Sequence, residues 1–238
     1  REMIEYLCSR GILVAGEDLL GHGKTGEAQG EFGYFAGQDA ATVLVRDVHR
    51  LKKLVQDEYP GIPVYVFGHS MGSIIVRHYV VRYGSGIQGA IIMGNIDRRF
   101  SGASQLFIGA LALFKGWHHV SHFVSVMALF RNTRGPRRFP LLSHRPEVIE
   151  EHKNDRYCGF ELTLNGYYAV SELLKRDRNI KLLRRIPKSL PILMLNGSED
   201  QFGDYGEAPK RIESLYAKVG LTNVRNKLYQ GDAHEVYN

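Results

Sequence analysis

The stretch PVYVFGHSMGSIIVRHY, residues 63–79, asks for a strand, an abrupt turn and a helix in quick succession. Pro63-Val64-Tyr65-Val66-Phe67 is a short apolar, β-rich run after the turn-like Pro60-Gly61, and it predicts a buried strand. Met71, Ile74, Ile75, His78 and Tyr79 then recur at helical spacing. Ser70 stands at the junction, with Gly68 two places before it and Gly72 two places after. Glycines there leave room for two backbones to come close on a tight strand-to-helix turn, which presents a serine hydroxyl at a helix start. Ser70 is therefore the candidate nucleophile.

The flanking sequence repeats the same rhythm. Ile12-Leu13-Val14-Ala15 reads as a buried strand, Asp39 as the cap of a helix carrying Leu44, Val48, Leu51, Val55 and Tyr59, and Ile87 to Met93 as the next strand. Pro191 to Leu195, a helix opened by Pro209 and closed by Gly220, and a strand from Val224 to Tyr229 complete the series. Strands alternating with helices predict an α/β fold with a mostly parallel sheet and right-handed crossovers. Residues 97–165 break the alternation. They are rich in Phe, His and Arg without a strand pattern, and read as a helical cap inserted into a core made of residues 1–96 and 166–238.

At 238 residues and 44% hydrophobic content, the chain can bury a sizeable single core. A net charge of +6 permits attraction to anionic partners, yet no zinc-finger spacing or RNA-binding aromatic motif accompanies it, so no nucleic acid partner is expected. Cys8 and Cys158 lack metal-ligand spacing and suit a reducing compartment, which points to a cytoplasmic location. LFIGALALF, residues 106–114, is too short for a membrane span. Gly23-Lys24-Thr25 looks like the close of a phosphate-binding loop, but Asp18 stands where its first glycine is required, and the nucleotide reading fails.

A serine hydroxyl needs a base within hydrogen-bonding reach and an acid that fixes the base's tautomer. Ser70, Asp200 and His234 occur in the order Ser, acid, His, each just past an expected strand. Glu199 and Asp204 compete with Asp200 for the acid role, while Asp232 is too near His234 along the loop to orient it. His118, His119 and His122 read as packing or surface residues. His69 is expected to be structural or to line the pocket, since neighbouring side chains on a tight turn point apart. The backbone N–H of Met71 is the expected oxyanion donor, helped by the positive end of its helix.

GHSMG, the earlier DLLGHGKT, the loop NGSEDQFGDYG and the ending GDAHE together resemble the monoacylglycerol lipase and lysophospholipase-like branch of the α/β-hydrolases, which is itself similar to the serine aminopeptidase-like group. The resemblance covers nearly the whole chain. It implies a serine hydrolase without cofactor or metal that acylates its serine, releases an alcohol and hydrolyses the acyl-enzyme, with a lipid monoester as small-molecule substrate and a transient contact with a membrane surface. It also implies that the cap shapes an acyl-chain pocket, for which Leu106, Phe107, Ile108, Leu111, Leu113 and Phe114 are candidates; packing of the cap on itself explains the same residues equally well. Arg131, Arg134, Arg137 and Arg138 suit either a solvated face or a lipid phosphate. A non-lipid carboxylesterase, an aminopeptidase-like hydrolase and a non-catalytic binding protein of the same fold stay open.

Two departures accompany the resemblance. The family's His-Gly oxyanion motif has no counterpart, because His22-Gly23 follows the next strand instead. The chain also opens in mid-pattern at Arg1 and stops four residues after His234. N-terminal strands and a closing helix are therefore expected outside these residues, one of those strands between the runs 12–15 and 63–67, and the 238 residues by themselves are expected to be unstable.

Overall fold

A computed structural model describes residues 2–97, 101–130 and 142–237. In chain order the elements are α1 (Glu2–Ser9), α2 (Gly23–Gln29), α3 (Ala40–Glu58), β1 (Tyr65–His69), α4 (Met71–Tyr83), β2 (Gly89–Met93), α5 (Ser101–Lys115), α6 (His122–Phe130), α7 (Pro146–Asn154), α8 (Leu164–Arg176), α9 (Ile180–Leu183), β3 (Ile192–Gly197), α10 (Glu207–Lys218) and β4 (Val224–Tyr229). All four strands are parallel in the order β1-β2-β3-β4, with Tyr65 opposite Gly89, Ala90 opposite Ile192 and Ile192 opposite Val224. Parallel neighbours need crossovers, and α4, the α5–α9 run and α10 supply them. The result is an α/β fold, a parallel sheet flanked by helices, as the alternation of strands and helices predicts.

Burial explains the strand sequences. β2 is buried along nearly its whole length, as its apolar run requires, whereas β1 alternates and leaves Tyr65 and Phe67 exposed. β1 is thus exposed on one face rather than buried as its composition suggests, and it is an edge of the sheet among the described residues. Its ladder starts at Tyr65 because Pro63 has no N–H to give and the Val64 N–H is taken by Gln88 Oε1 at 2.7 Å. The expected strand at Ile12–Ala15 has no ladder partner among the described residues, and Ile12 and Leu13 are half exposed.

α4 is the central helix. Ser73 through Val81 are all buried, and α4 packs on β1, β2, α3 and α8. The main core gathers Leu44, Ile74, Tyr79, Ile92, Leu173 and Met194. α3 spans the expected residues, but Asp39 caps it with its backbone only; its carboxylate turns to Arg176 Nη2 at 3.1 Å. A second cluster, Ile108, Ala112, Val124 and Leu164 with Leu111, Tyr167 and Tyr168 against it, joins α5 and α6 to the start of α8. Among the described residues no helix is long and apolar enough to cross a membrane. The four arginines between 131 and 138 lie outside the described residues.

Candidate active site

Ser70 joins β1 to α4 at φ 55° and ψ −117°, a conformation that costs a non-glycine residue about 1–3 kcal/mol. The surroundings hold it there. Its N–H donates to Met93 O at 3.1 Å, while its own carbonyl accepts from Ser73 N at 2.9 Å and Ser73 Oγ at 2.5 Å. The two flanking glycines differ in what they do. A Cβ on Gly68 would lie 2.3 Å from Gly72 O, whereas one on Gly72 would meet nothing within 4 Å. The close approach is therefore made by Gly68 against the backbone of Gly72, a correction to the symmetric role their spacing suggests.

The loops after β2, β3 and β4 converge on the same end of the sheet. Asn196 Oδ1 accepts from Asn95 N at 3.1 Å and Asn95 Nδ2 at 3.0 Å, and Asn196 Nδ2 donates to Asn226 Oδ1 at 3.1 Å. This ladder ties the three strands together where their loops leave. Gly94 then abuts the His234 ring so closely that a Cβ there would sit 2.7 Å from Cε1. Met93 O thus holds the Ser70 N–H while the next residue, Gly94, packs on the His234 ring, so both meet the same end of β2. The roles of Gly94, Asn95, Asn196 and Asn226 were not legible in the strand and helix periodicities.

His234 is 1% exposed and its Nδ1–H donates to Asp200 Oδ2 at 2.9 Å. Asp200 is itself fully buried, and its Oδ1 accepts the Phe202 N–H at 2.8 Å. With Nδ1 protonated, Nε2 is the basic nitrogen, and it has no hydrogen-bond partner. The competing carboxylates go elsewhere: Glu199 meets His144 at 3.0 Å, and Asp204 receives Arg211 Nη1 at 2.9 Å. His69 lies outside the lining of the cavity. Its Nε2–H donates to His234 O at 3.3 Å and its ring packs on that of His234 at 4.7 Å, so it braces the His234 loop. Burial, then the neighbouring His234, lowers the His69 pKa to about 4.

Ser70 and Met71 open onto a cavity of about 950 Å³ whose wall is mostly apolar and includes Phe107, Ile108, Val124 and Leu174. Helical periodicity splits the candidate pocket residues. Phe107 and Ile108 line the cavity, Leu111 packs into the second cluster, and Leu106, Leu113 and Phe114 point outward with 77%, 82% and 86% of their surface exposed. Leu106, Leu111, Leu113 and Phe114 are thereby corrected from lining to other faces of α5. His22 was not singled out as a pocket residue, yet it lines the cavity between the rings of Phe35 and Phe160. His122 also lines it, bonded to Glu161 at 2.8 Å, while His118 stacks on Tyr34. The start of α2, which mimics a phosphate-binding loop, is occupied by the chain's own carboxylate: the Lys24 N–H donates to Asp18 Oδ2 at 2.9 Å. No group of three or more His, Cys, Asp or Glu side chains among the described residues converges as a metal site.

A family model described as serine aminopeptidase, S33, matches residues 1–238. Monoglyceride lipase of Homo sapiens is 36% identical over 246 residues, covering 99% of this chain and 70% of that protein. A monoglyceride lipase homolog of Monkeypox virus is 39% identical over 77 residues, which are 31% of this chain and 25% of that one. Among solved structures, a thermostable carboxyl esterase from Bacillus coagulans in complex with glycerol superposes with a TM-score of 0.88 at 28% identity, covering 100% of this chain and 78% of that one.

Proposed function

The chain belongs to the serine aminopeptidase, S33, family of hydrolases, and we propose that it cleaves lipid monoesters, a monoacylglycerol or a lysophospholipid, through an acyl-enzyme on Ser70. The observation that carries this reading is the backbone-strained Ser70 on the wall of a large apolar cavity, two residues' backbone away from a buried imidazole whose Nε2 is bare. Ser70 Oγ attacks the ester carbonyl while His234 Nε2 takes its proton. Asp200 holds the Nδ1–H tautomer and stabilises the imidazolium that forms. The Met71 N–H, at the start of α4 where the first amides have no intrahelical acceptor, donates to the oxyanion. His234 then returns the proton to the departing alcohol, and water repeats the sequence on the acyl-enzyme.

The acyl chain lies in the cavity against Phe107 and Ile108. We read residues 97–165 as the cap that roofs it. The outward face of α5, with Leu113 and Phe114, suits a transient contact with a lipid surface, since exposed apolar clusters of this kind favour an interface. A smaller carboxylic ester is the second reading, favoured by the likeness to the carboxyl esterase.

The test is a panel of monoacylglycerols, lysophospholipids, acetyl esters and aminoacyl amides. Ser70→Ala should abolish turnover and fluorophosphonate labelling, and Asp200→Asn should lower kcat by about three to four orders of magnitude. Undiminished hydrolysis by Ser70→Ala would refute the assignment; equal rates on acetyl and long-chain esters would replace the lipid reading by the smaller ester; and no turnover of any ester or amide by the wild-type protein would leave a hydrolase-fold binding protein.

A further inference from the structure

A second cavity, of about 370 Å³, opens among α3, α4, α8 and the turn after α9, and it is unlike the first. Its polar wall consists of Thr42, His78, Arg82, Arg176 and Arg185, with no carboxylate among its lining residues. Arg176 is already committed: Nη1 donates to Thr42 Oγ1 at 2.9 Å, and Nη2 donates to Asp39 Oδ1 at 3.1 Å and to Glu172. Those bonds fix its guanidinium in place and balance its charge. The guanidiniums of Arg82 and Arg185, both solvent-exposed, have no hydrogen-bond or ion-pair acceptor among the described residues. Two guanidiniums from separate segments therefore face one recess without an anion.

His78 supplies a second, independent sign of an incomplete site. It is 5% exposed and lines the recess; its Nδ1 is sealed in without a hydrogen-bond partner, which leaves Nε2 as the ring nitrogen able to meet a ligand there. Burial, followed by the charges of Arg176 and Arg82, lowers its pKa to about 4, so the ring is neutral near pH 7 and keeps one N–H to donate. Asp39, at the N-terminal cap of α3, opposes that shift. Thr42 Oγ1 accepts from Arg176 and also hydrogen-bonds the Asp39 carboxylate, so this hydroxyl is already engaged within the wall.

We infer that this recess binds a phosphate group. Arginine pairs well with phosphate through two parallel N–H donors. Here the open donors come from α4 and from the segment after α9, and a phosphate group can accept from both at once. The apolar remainder of the wall, Val81 and Leu182, and the volume of the recess leave room for the group that carries the phosphate. The site shares α4 with Ser70 but none of the residues assigned to hydrolysis, so it stands or falls independently of the reaction at Ser70.

Thermal melts of the protein with inorganic phosphate, against chloride at matched ionic strength, test the inference. A saturable rise in Tm with phosphate alone is expected. In the Arg82→Gln/Arg185→Gln double variant phosphate should bind on the order of 100-fold more weakly, the loss of two charged hydrogen bonds, with ester hydrolysis unchanged. Should the double variant misfold, Arg185→Gln alone, on an exposed turn, should weaken phosphate about tenfold by calorimetric titration. No saturable phosphate effect in the wild type, or the same effect in the variants, overturns the site. Sedimentation with phosphatidylcholine vesicles, with and without phosphatidic acid, distinguishes the source: binding only to the acidic vesicles, lost in the double variant, assigns a lipid headgroup, and phosphate binding without vesicle binding assigns a soluble phosphorylated ligand.

Discussion

Two imidazoles flanking the strand-to-helix turn, His69 just before Ser70 and His78 two turns into α4, are held neutral by burial, each with a pKa of about 4. The sign of the effect on stability follows directly. Each folded-state pKa lies below the ordinary 6.5, so as pH falls the unfolded chain takes up the proton first and the native state loses ground. The stabilisation is complete above about pH 6.5 and is lost as pH falls through the window down to about 4. For His78, replacement by Gln should remove that dependence. In urea unfolding the wild type should lose about 2.5 kcal/mol more than His78→Gln between about pH 7.5 and 4.5. Asp177 is pushed up to about 7 by burial, against the pull of Arg77 at 2.9 Å, and so titrates in the opposite sense. It is present in both proteins and cancels in the comparison. An identical acid loss in the two would show that His78 is charged in the native state.

Between elements, Arg211 on α10 makes the most consequential link. Its Nε donates to Asp97 Oδ2 and its Nη1 to Asp204 Oδ2, both at 2.9 Å. Asp97 follows Gly94, which packs on His234, along the loop after β2, and Asp204 lies on the loop that carries Asp200, in a left-handed stretch with φ of 53° at Asp204 and 55° at Tyr205. Burial alone would raise the Asp97 carboxyl, but bonds from Arg178 and Arg211 hold it below the usual carboxylate range. One guanidinium thus fixes the spacing between the two loops that meet at the Asp200–His234 bond. Arg211→Met should lower kcat about tenfold with KM little changed, because a small displacement misaligns a proton transfer without touching the acyl pocket. Arg211→Lys should recover part of the loss. A parallel rise in KM, or no rescue by lysine, would mark Arg211 as a stabiliser of the fold only.

At the scale of the whole molecule, α5 faces two ways. Phe107 and Ile108 look into the cavity, and Leu106, Leu113 and Phe114 look out. A carboxylate placed on either face should therefore act on different measurements. Phe107→Asp should depress kcat/KM for long-chain monoesters by about 10–100-fold while sparing acetyl esters. Phe114→Asp should leave soluble esters unaffected and weaken sedimentation with lipid vesicles. If Phe114→Asp instead abolished the chain-length preference, the outward orientation of that side chain would be wrong.

Much of this was legible along the chain because it is local. A strand, a turn and a helix within residues 63–79, the order Ser70, Asp200, His234, and the apolar runs of β2, β3 and α10 all follow from spacing and residue type. Partner choice is not local, and there the sequence left alternatives. Glu199, Asp200 and Asp204 are chemically alike within one loop; only packing sends one to His234, one to Arg211 and one to His144. Likewise, apolarity places Phe107 and Phe114 on the same list, while the direction in which α5 rests on α8 puts one inside and one outside. Ile12 and Leu13 show the converse: β propensity makes no strand when no ladder partner lies beside it. The basic recess joins Thr42, Arg82 and Arg185 from distant parts of the chain. Periodicity decides which residues an element can bury, whereas the tertiary structure decides what each meets, since burial and pairing depend on neighbours far away in sequence.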